Sequence, residues 1–330
     1  MKKFVKRSLI GLAALVGLAI VGVGGVIAYN EPARLPPLAA GNSLPGFEKW
    51  NMAEIPEPQR VTMRDGAPLS YRFYPGRKEL AVVLVHGSSG TGVSMHKLAQ
   101  AIQAAGGTVY AIDLRGHGGS GTANGDTSYK GQLDDDLVDF VKGTGLTDTS
   151  IHRTLIGFSA GGGFVLRTAS GPNRTMFDAY LAISPYIAND APNNKPNSGG
   201  WASVAVPRVI ALAVLDQIGL PLFQGLPVVR FATDAKPDRN RTPVYSYRLT
   251  TGMQIGRDWR TRLARIEQPT WVVVGSRDEL FHPDQFLPTL TPLSPKISVS
   301  VQPGHTHLDM IADPKACFML SMVWRQMARE

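Results

Sequence analysis

Apolar and polar positions follow three different rhythms along this chain, and the switches between them mark its elements. Residues 61–64 and 69–74 alternate with a period of two around Asp65-Gly66, which predicts a β-hairpin. Residues 80–85 are continuously apolar and rich in valine, the pattern of a strand buried on both faces as in a parallel sheet. That run ends at His86-Gly87. Helical spacing takes over at 94–105 and stops at Gly106-Gly107. Residues 108–112 read as a strand ending at Asp113, 133–141 as a helix, and 154–156 as a strand ending at Gly157. A helix opens at 162–168, and a strand at 179–183 ends at Ser184-Pro185. Two later strands are predicted at 270–274 and 297–301, and a last helix at 308–327.

Strands alternating with helices imply an α/β fold with a mostly parallel central sheet and helices on both faces. The alternation breaks between about 186 and 257, where an apolar, helix-like run at 204–218 sits among Gly and Pro breaks. An insertion there would lie over the C-terminal ends of the strands, where open α/β sheets place their sites, and it reads as a cap.

The N-terminus has a different pattern again. Lys2, Lys3, Lys6 and Arg7 precede 21 uncharged residues, 8–28, nearly all apolar or Gly. That is long enough for one helix across a hydrocarbon core of about 30 Å. The expectation is an N-terminal membrane helix at 1–30, a signal anchor, with the basic flank in the cytoplasm and the following domain exported. The small residues at Val26-Ile27-Ala28 also suit a cleavage site, so secretion after cleavage near Ala28 is the alternative. Residues 31–58 carry six prolines and read as a linker; 59–330 form the folded domain, with the cap inserted in it.

Composition adds limits. With 43% hydrophobic and 18% charged residues the chain can bury a large core and is not a disordered one. The net charge of +8 falls to +4 once the four N-terminal cations are set aside, and no basic run with interleaved aromatics remains. Nucleic acid is therefore not an expected partner. The single cysteine, Cys317, cannot form an internal disulfide and stands among apolar residues, as a small buried hydrophobe does.

Three segments can carry chemistry. Gly157-Phe158-Ser159-Ala160-Gly161 lies between a predicted strand and a predicted helix. In that context G-x-S-x-G is a tight turn that lifts a serine above the sheet edge. The backbone N–H of Ala160 then points where negative charge would develop. A serine hydroxyl needs a positioned base, commonly a histidine oriented by a carboxylate. Asp278 follows the strand at 270–274, 119 residues after Ser159, with Glu279 as its neighbour and fallback. Gly304-His305-Thr306-His307 follows the last strand; His307, directly before the final helix, is favoured over His305 as base. After the first buried strand, the loop His86-Gly87-Ser88-Ser89-Gly90 could supply a second oxyanion donor, the N–H of Ser88. It lacks the G-K-[ST] ending of a P-loop and the full G-x-G-x-x-G pattern, so no nucleotide cofactor is expected. His305-x-His307-x-Asp309 has metal-like spacing, but Met310 stands where a further histidine would be needed, and no metal is expected.

Together V-L-V-H-G-S-S-G (83–90), D-L-R-G-H-G-G-S (113–120), G-F-S-A-G-G (157–162), V-G-S-R-D-E-L-F (274–281) and P-G-H-T-H-L (303–308) resemble the α/β-hydrolase superfamily. Within it they are similar to the monoacylglycerol lipase/lysophospholipase-like group, also called serine aminopeptidase-like. The resemblance spans roughly 60–328. It implies Ser159 as nucleophile, Asp278 as acid, His307 as base, and the N–H groups of Ser88 and Ala160 as oxyanion hole. It also implies a small hydrophobic ester as substrate, cleaved through an acyl-enzyme. Amide or peptide cleavage by the same triad, and a non-catalytic surface binding module, are the alternatives. Phe158, where this group often has His, and the extra His305 depart from the group's pattern and weaken the inference to glycerides in particular.

Overall fold

The computed structural model describes residues 17–18, 21–36, 52–195, 200–233 and 241–329. Its core is an eight-stranded sheet built from β1 (Pro58–Thr62), β2 (Pro68–Tyr74), β3 (Arg77–Val85), β4 (Gly107–Ile112), β5 (His152–Phe158), β6 (Ala179–Ile183), β10 (Thr270–Gly275) and β11 (Ile297–Gln302). The spatial order is β1-β2-β4-β3-β5-β6-β10-β11. Only β1 and β2 run antiparallel to their neighbours; every pair from β4 to β11 is parallel. This is the mostly parallel sheet with helices on both faces that the sequence pattern predicts.

The unbroken apolar run of β3 has a direct physical reading. Val82 and Leu84 enter one core cluster, while Ala81, Val83 and Val85 enter the other. Helices His96–Ala104 and Pro314–Met327 cover the first face; Gln132–Gly143 and the elbow helix Ala160–Ala169 cover the second. With helices on both sides no position of residues 80–85 faces water, so alternation disappears there.

One predicted element is corrected. The last helix does not run unbroken over 308–327 but divides into Asp309–Ala312 and Pro314–Met327. Pro314 has no N–H to donate and holds Asp313 out of the helical region, at φ −77°, ψ 127°. Asp313 then caps the second helix, accepting from the N–H groups of Lys315 and Ala316.

The described part of the region at 186–257 adds a second sheet, packed into the same core cluster as one face of the first. A three-stranded antiparallel sheet, β7 (Ala202–Val204), β8 (Pro227–Phe231) and β9 (Val244–Ser246), stands beside the cap helix Val206–Gln217. Residues 21–29 are helical, and the chain after them runs over this cap. Buried Arg208 of the cap helix donates to the carbonyls of Ile27 (2.7 Å), Ala28 (3.1 Å) and Pro227 (2.9 Å). Arg230 donates to Pro32 O, and the Ala33 N–H to Ser203 Oγ. Among the described residues no helix is long and apolar enough to cross a membrane. Residues 1–16 and 19–20 of the expected anchor, and 37–51 of the expected linker, lie outside the described residues.

Candidate active site

Every side chain singled out in the sequence sits at the carboxyl edge of the parallel strands. Ser159 follows β5, His86 to Gly90 follow β3, Asp278 follows β10 and His307 follows β11. The serine turn is held in a strained backbone conformation, with Ser159 at φ 55°, ψ −117°. Neighbouring atoms also leave no room for a side chain at either flanking glycine. A Cβ at Gly157 would meet the Gly161 carbonyl at 2.3 Å, and one at Gly161 would meet the His86 carbonyl at 2.3 Å. Ser159 N–H donates to Ile183 O on the adjacent strand, and its carbonyl accepts from Gly163 and Tyr186. Ala160 is the first residue of the elbow helix, so its N–H is one of the donors without an intrahelical acceptor.

Asp278 and His307 come together although 29 residues separate them, because β10 and β11 are parallel neighbours. His307 Nδ1–H donates to Asp278 Oδ2 at 2.7 Å, and the other carboxylate oxygen accepts from the N–H groups of Leu280 and Phe281. Burial by itself raises the Asp278 pKa. The facing His307 and these hydrogen bonds outweigh it and hold the carboxyl below its ordinary range. The imidazole packs on Phe158, ring centroids 4.6 Å apart, and on Phe281 at 5.4 Å. Its Nε2 is buried and has no hydrogen-bond partner among the described residues. Glu279, the fallback acid, does not touch the ring: its carboxylate accepts from the His307 backbone N–H at 2.9 Å. The carbonyl of His305 accepts from Arg277 N–H, and among the described residues its ring makes no hydrogen bond. Asp309 accepts from Thr306 N–H and closes a local turn.

The loop after β3 is held quite differently. A Cβ on Gly87 would come within 3.2 Å of the Ser159 Cβ and 3.0 Å of Phe158, so glycine lets the loop close over the serine turn. Three cap residues then grip it. Trp201 Nε1–H donates to Ser88 Oγ (3.0 Å), Thr242 N–H donates to Ser89 O (3.0 Å), and Ser89 N–H donates to Tyr245 Oη (2.7 Å). Of the loop's N–H groups, that of Ser89 is engaged by Tyr245 and that of Gly90 by the Gly87 carbonyl. Ser89 has φ 65°, a conformation rarely kept by a serine without such restraint.

Beneath the loop lies a buried polar chain that sequence reasoning missed. His117 Nδ1 lies against the carbonyls of Leu114 and Arg115, to which it can only donate. Its Nε2 therefore accepts from the Tyr245 hydroxyl at 2.6 Å. His86 donates from Nδ1 to Gly87 O and accepts the Leu114 N–H at Nε2. Burial lowers the pKa of both imidazoles; at His86 it outweighs the opposing pull of Gly87 O and Asp113, and at His117 the neighbouring His86 adds to it, so both are neutral near pH 7. Burial likewise pushes the Tyr245 phenol up. Arg115 makes a two-point pair with buried Asp136 (2.7 Å each), tying the loop at 113–120 to the helix Gln132–Gly143. The stretch D-L-R-G-H-G-G-S was visible in the sequence only as a Gly-rich loop. Nothing around Tyr245 signalled its role.

With this geometry established, comparison places the chain among known proteins. A family model described as serine aminopeptidase, S33, matches residues 76–307. A monoglyceride lipase from Saccharomyces cerevisiae superposes with a TM-score of 0.63 at 18% identity, covering 84% of this chain and 95% of its own. A monoacylglycerol lipase from Paleococcus ferrophilus gives 0.59 at 20% identity, covering 83% and 99%. A putative aryl esterase from Burkholderia cenocepacia gives 0.58 at 19%, covering 83% and 100%. At such identities the likeness shows the fold. No curated protein sequence matches the chain.

Proposed function

Since the chain belongs to the serine aminopeptidase (S33) family of hydrolases, we propose that it cleaves carboxylic esters of hydrophobic acyl groups through an acyl-enzyme on Ser159. The observation that carries the reading is the buried His307, fixed by Asp278 at 2.7 Å, with its second ring nitrogen unpartnered and its ring stacked beside the residue preceding Ser159. A base so held keeps one tautomer, with Nε2 free to accept a proton.

In the proposed reaction Ser159 Oγ attacks the ester carbonyl while His307 Nε2 takes the hydroxyl proton. Asp278 stabilises the imidazolium that forms. The N–H groups of Ser88 and Ala160 receive the developing oxyanion. Collapse breaks the C–O bond, and the imidazolium returns its proton to the leaving alkoxide. Water, deprotonated by the same imidazole, then hydrolyses the acyl-enzyme and restores Ser159. The apolar cap and the lipase and esterase neighbours favour an acylglycerol, a lysophospholipid or a similar ester.

A fluorophosphonate probe should label Ser159 in the folded protein, and p-nitrophenyl esters of graded chain length should be turned over. Full turnover by Ser159→Ala would overturn the mechanism. The family's own description keeps amide cleavage as a second reading. Ester and amide substrates with one acyl group separate the two. We also propose that residues 8–28 anchor the domain on the exported side of a membrane, on the strength of the basic flank and the uncharged run. Protease protection of right-side-out and inverted vesicles tests this.

A further inference from the structure

The chain that follows the N-terminal helical segment crosses the cap, and two of its contacts fall on one rung of the cap sheet. Ser203 of β7 and Arg230 of β8 are register partners. Ser203 Oγ accepts the Ala33 N–H at 2.9 Å, and Arg230 Nε–H donates to Pro32 O at 3.3 Å. A few residues upstream Arg208 holds the carbonyls of Ile27 and Ala28, and Ile27 belongs to the main core cluster.

Arg208 is 1% exposed. A buried guanidinium is costly unless its donors are met and a counter-charge is near. Here the counter-charge is remote: Glu31 lies 3.9 Å away and is itself exposed. Each of the three guanidinium nitrogens donates instead to a main-chain carbonyl, the third being Pro227 O at the start of β8. One buried cation thus joins the N-terminal segment to the cap sheet.

Successive residues of a strand point to opposite faces. Ser203 and Arg230 face the N-terminal segment. Phe231, next to Arg230, faces the other way, and so does Tyr245, which pairs with Val229. On that second face Trp201, Phe231 and Tyr245 form a row of rings, with centroids 5.5 and 4.7 Å apart. The two ends of the row are the groups that grip the loop after β3: Trp201 on Ser88 Oγ and Tyr245 on the Ser89 N–H. The cap sheet therefore lies between the N-terminal segment on one face and the loop on the other. Its strands are only three to five residues long. Strands so short depend on what packs against them, so the cover on the outer face sets where the inner face stands.

We propose that Ile27–Ala33 is a strap that positions the oxyanion loop through the cap sheet, with Arg208 as its clasp. The proposal rests on reading the Ser88 N–H as an oxyanion donor. Arg208 acts through Trp201 and Tyr245 and is a positioning residue. The competent domain then begins before Ile27. A cut after Ala28, which Val26-Ile27-Ala28 would suit, takes both carbonyls away from Arg208.

The test uses the full chain. Arg208→Met removes the clasp, and Ser203→Ala removes only the bond from Ala33. Turnover of p-nitrophenyl butyrate is measured together with amide hydrogen exchange in residues 84–93 and 225–233. Arg208→Met should lower kcat about ten-fold or more with KM within about two-fold, because a misplaced oxyanion donor is felt in the transition state. Ser203→Ala should lower kcat by roughly two- to five-fold. Exchange should quicken at 84–93 as well as at 225–233 in both variants. An unchanged kcat, or a lower one without faster exchange at 84–93, overturns the proposal and makes the segment a packing element of the cap alone. Where Arg208→Met does not fold, Ser203→Ala decides by the same two readouts. Failure of the hydrolase reading looks different, since the wild-type chain then turns over no ester. That outcome overturns the strap's catalytic role, and exchange at 84–93 then upholds or overturns its hold on the loop.

Discussion

The two donors of the proposed oxyanion hole are built in opposite ways. The Ala160 side is local. The end of β5, the strained Ser159, the glycines at 157 and 161 and the start of the elbow helix all lie within a few residues, and the sheet holds them. The Ser88 side is assembled from afar. Its loop is gripped by Trp201, 113 residues away, and by Tyr245, 156 residues from Ser89, both from the cap. The first half is complete once the sheet and elbow helix pack. The second is complete only when the cap has docked. An insertion that looks like a cover over the site is therefore part of its geometry, and substrate-dependent movement of the cap would act directly on one donor.

The sharpest way to break this contrast is to remove the group both halves serve. Ser159→Ala should lower kcat by about 10⁴-fold or more, with the fold unchanged by circular dichroism. The next test separates the two histidines. His307→Ala should lower kcat/KM by about 10⁴-fold, whereas His305→Ala should stay within about three-fold, because only His307 reaches the carboxylate.

Tyr245→Phe addresses the cap-built half alone. The ring contacts with Phe231 and His117 persist, but the Ser89 N–H and His117 Nε2 lose their shared partner. We expect kcat to fall about 10–100-fold with KM nearly unchanged, since misplacing one oxyanion donor is felt mainly in the transition state. Melting should show a cost of about 1–3 kcal/mol from the unpaired buried groups. An unchanged kcat would mean that the Ser88 loop keeps its shape without the cap.

The smallest effect concerns pH. His86 and His117 are buried neutral, with folded pKa values below the unfolded value of about 6.5. As pH falls below that, the unfolded chain takes up protons that the folded one refuses. The stability they contribute is present above about pH 6.5 and is lost on the way down to their folded pKa values. His96, lowered to about 4 by burial, acts in the same direction. The melting temperature should therefore decline steadily from pH 7 to pH 5, and His117→Gln, which cannot titrate, should make that decline shallower.

Much was legible in the linear pattern, and the reason is proximity along the chain. Both-sided burial writes itself as an unbroken apolar run, so β3, β4, β6 and β10 could be read from residues 80–85, 108–112, 179–183 and 270–274. The serine turn could be read because its steric demands fall on residues two positions away. The break at Pro314 is masked in the linear pattern, since the apolar spacing continues through it. The pairing of Asp278 with His307 was partly legible, as strand-end residues in the right order, but that these two side chains meet, and not His305 or Glu279, is seen only in the fold, where β10 and β11 are parallel neighbours. Tyr245, Trp201 and His117 left no mark, because a hydrogen bond across more than a hundred residues imposes no local spacing. The sequence by itself determined where strands end, which serine stands at a strained turn and where charge is absent. Tertiary structure alone decided which cap residues hold the second donor and where the N-terminal segment meets the cap, because both depend on the direction in which a distant segment packs.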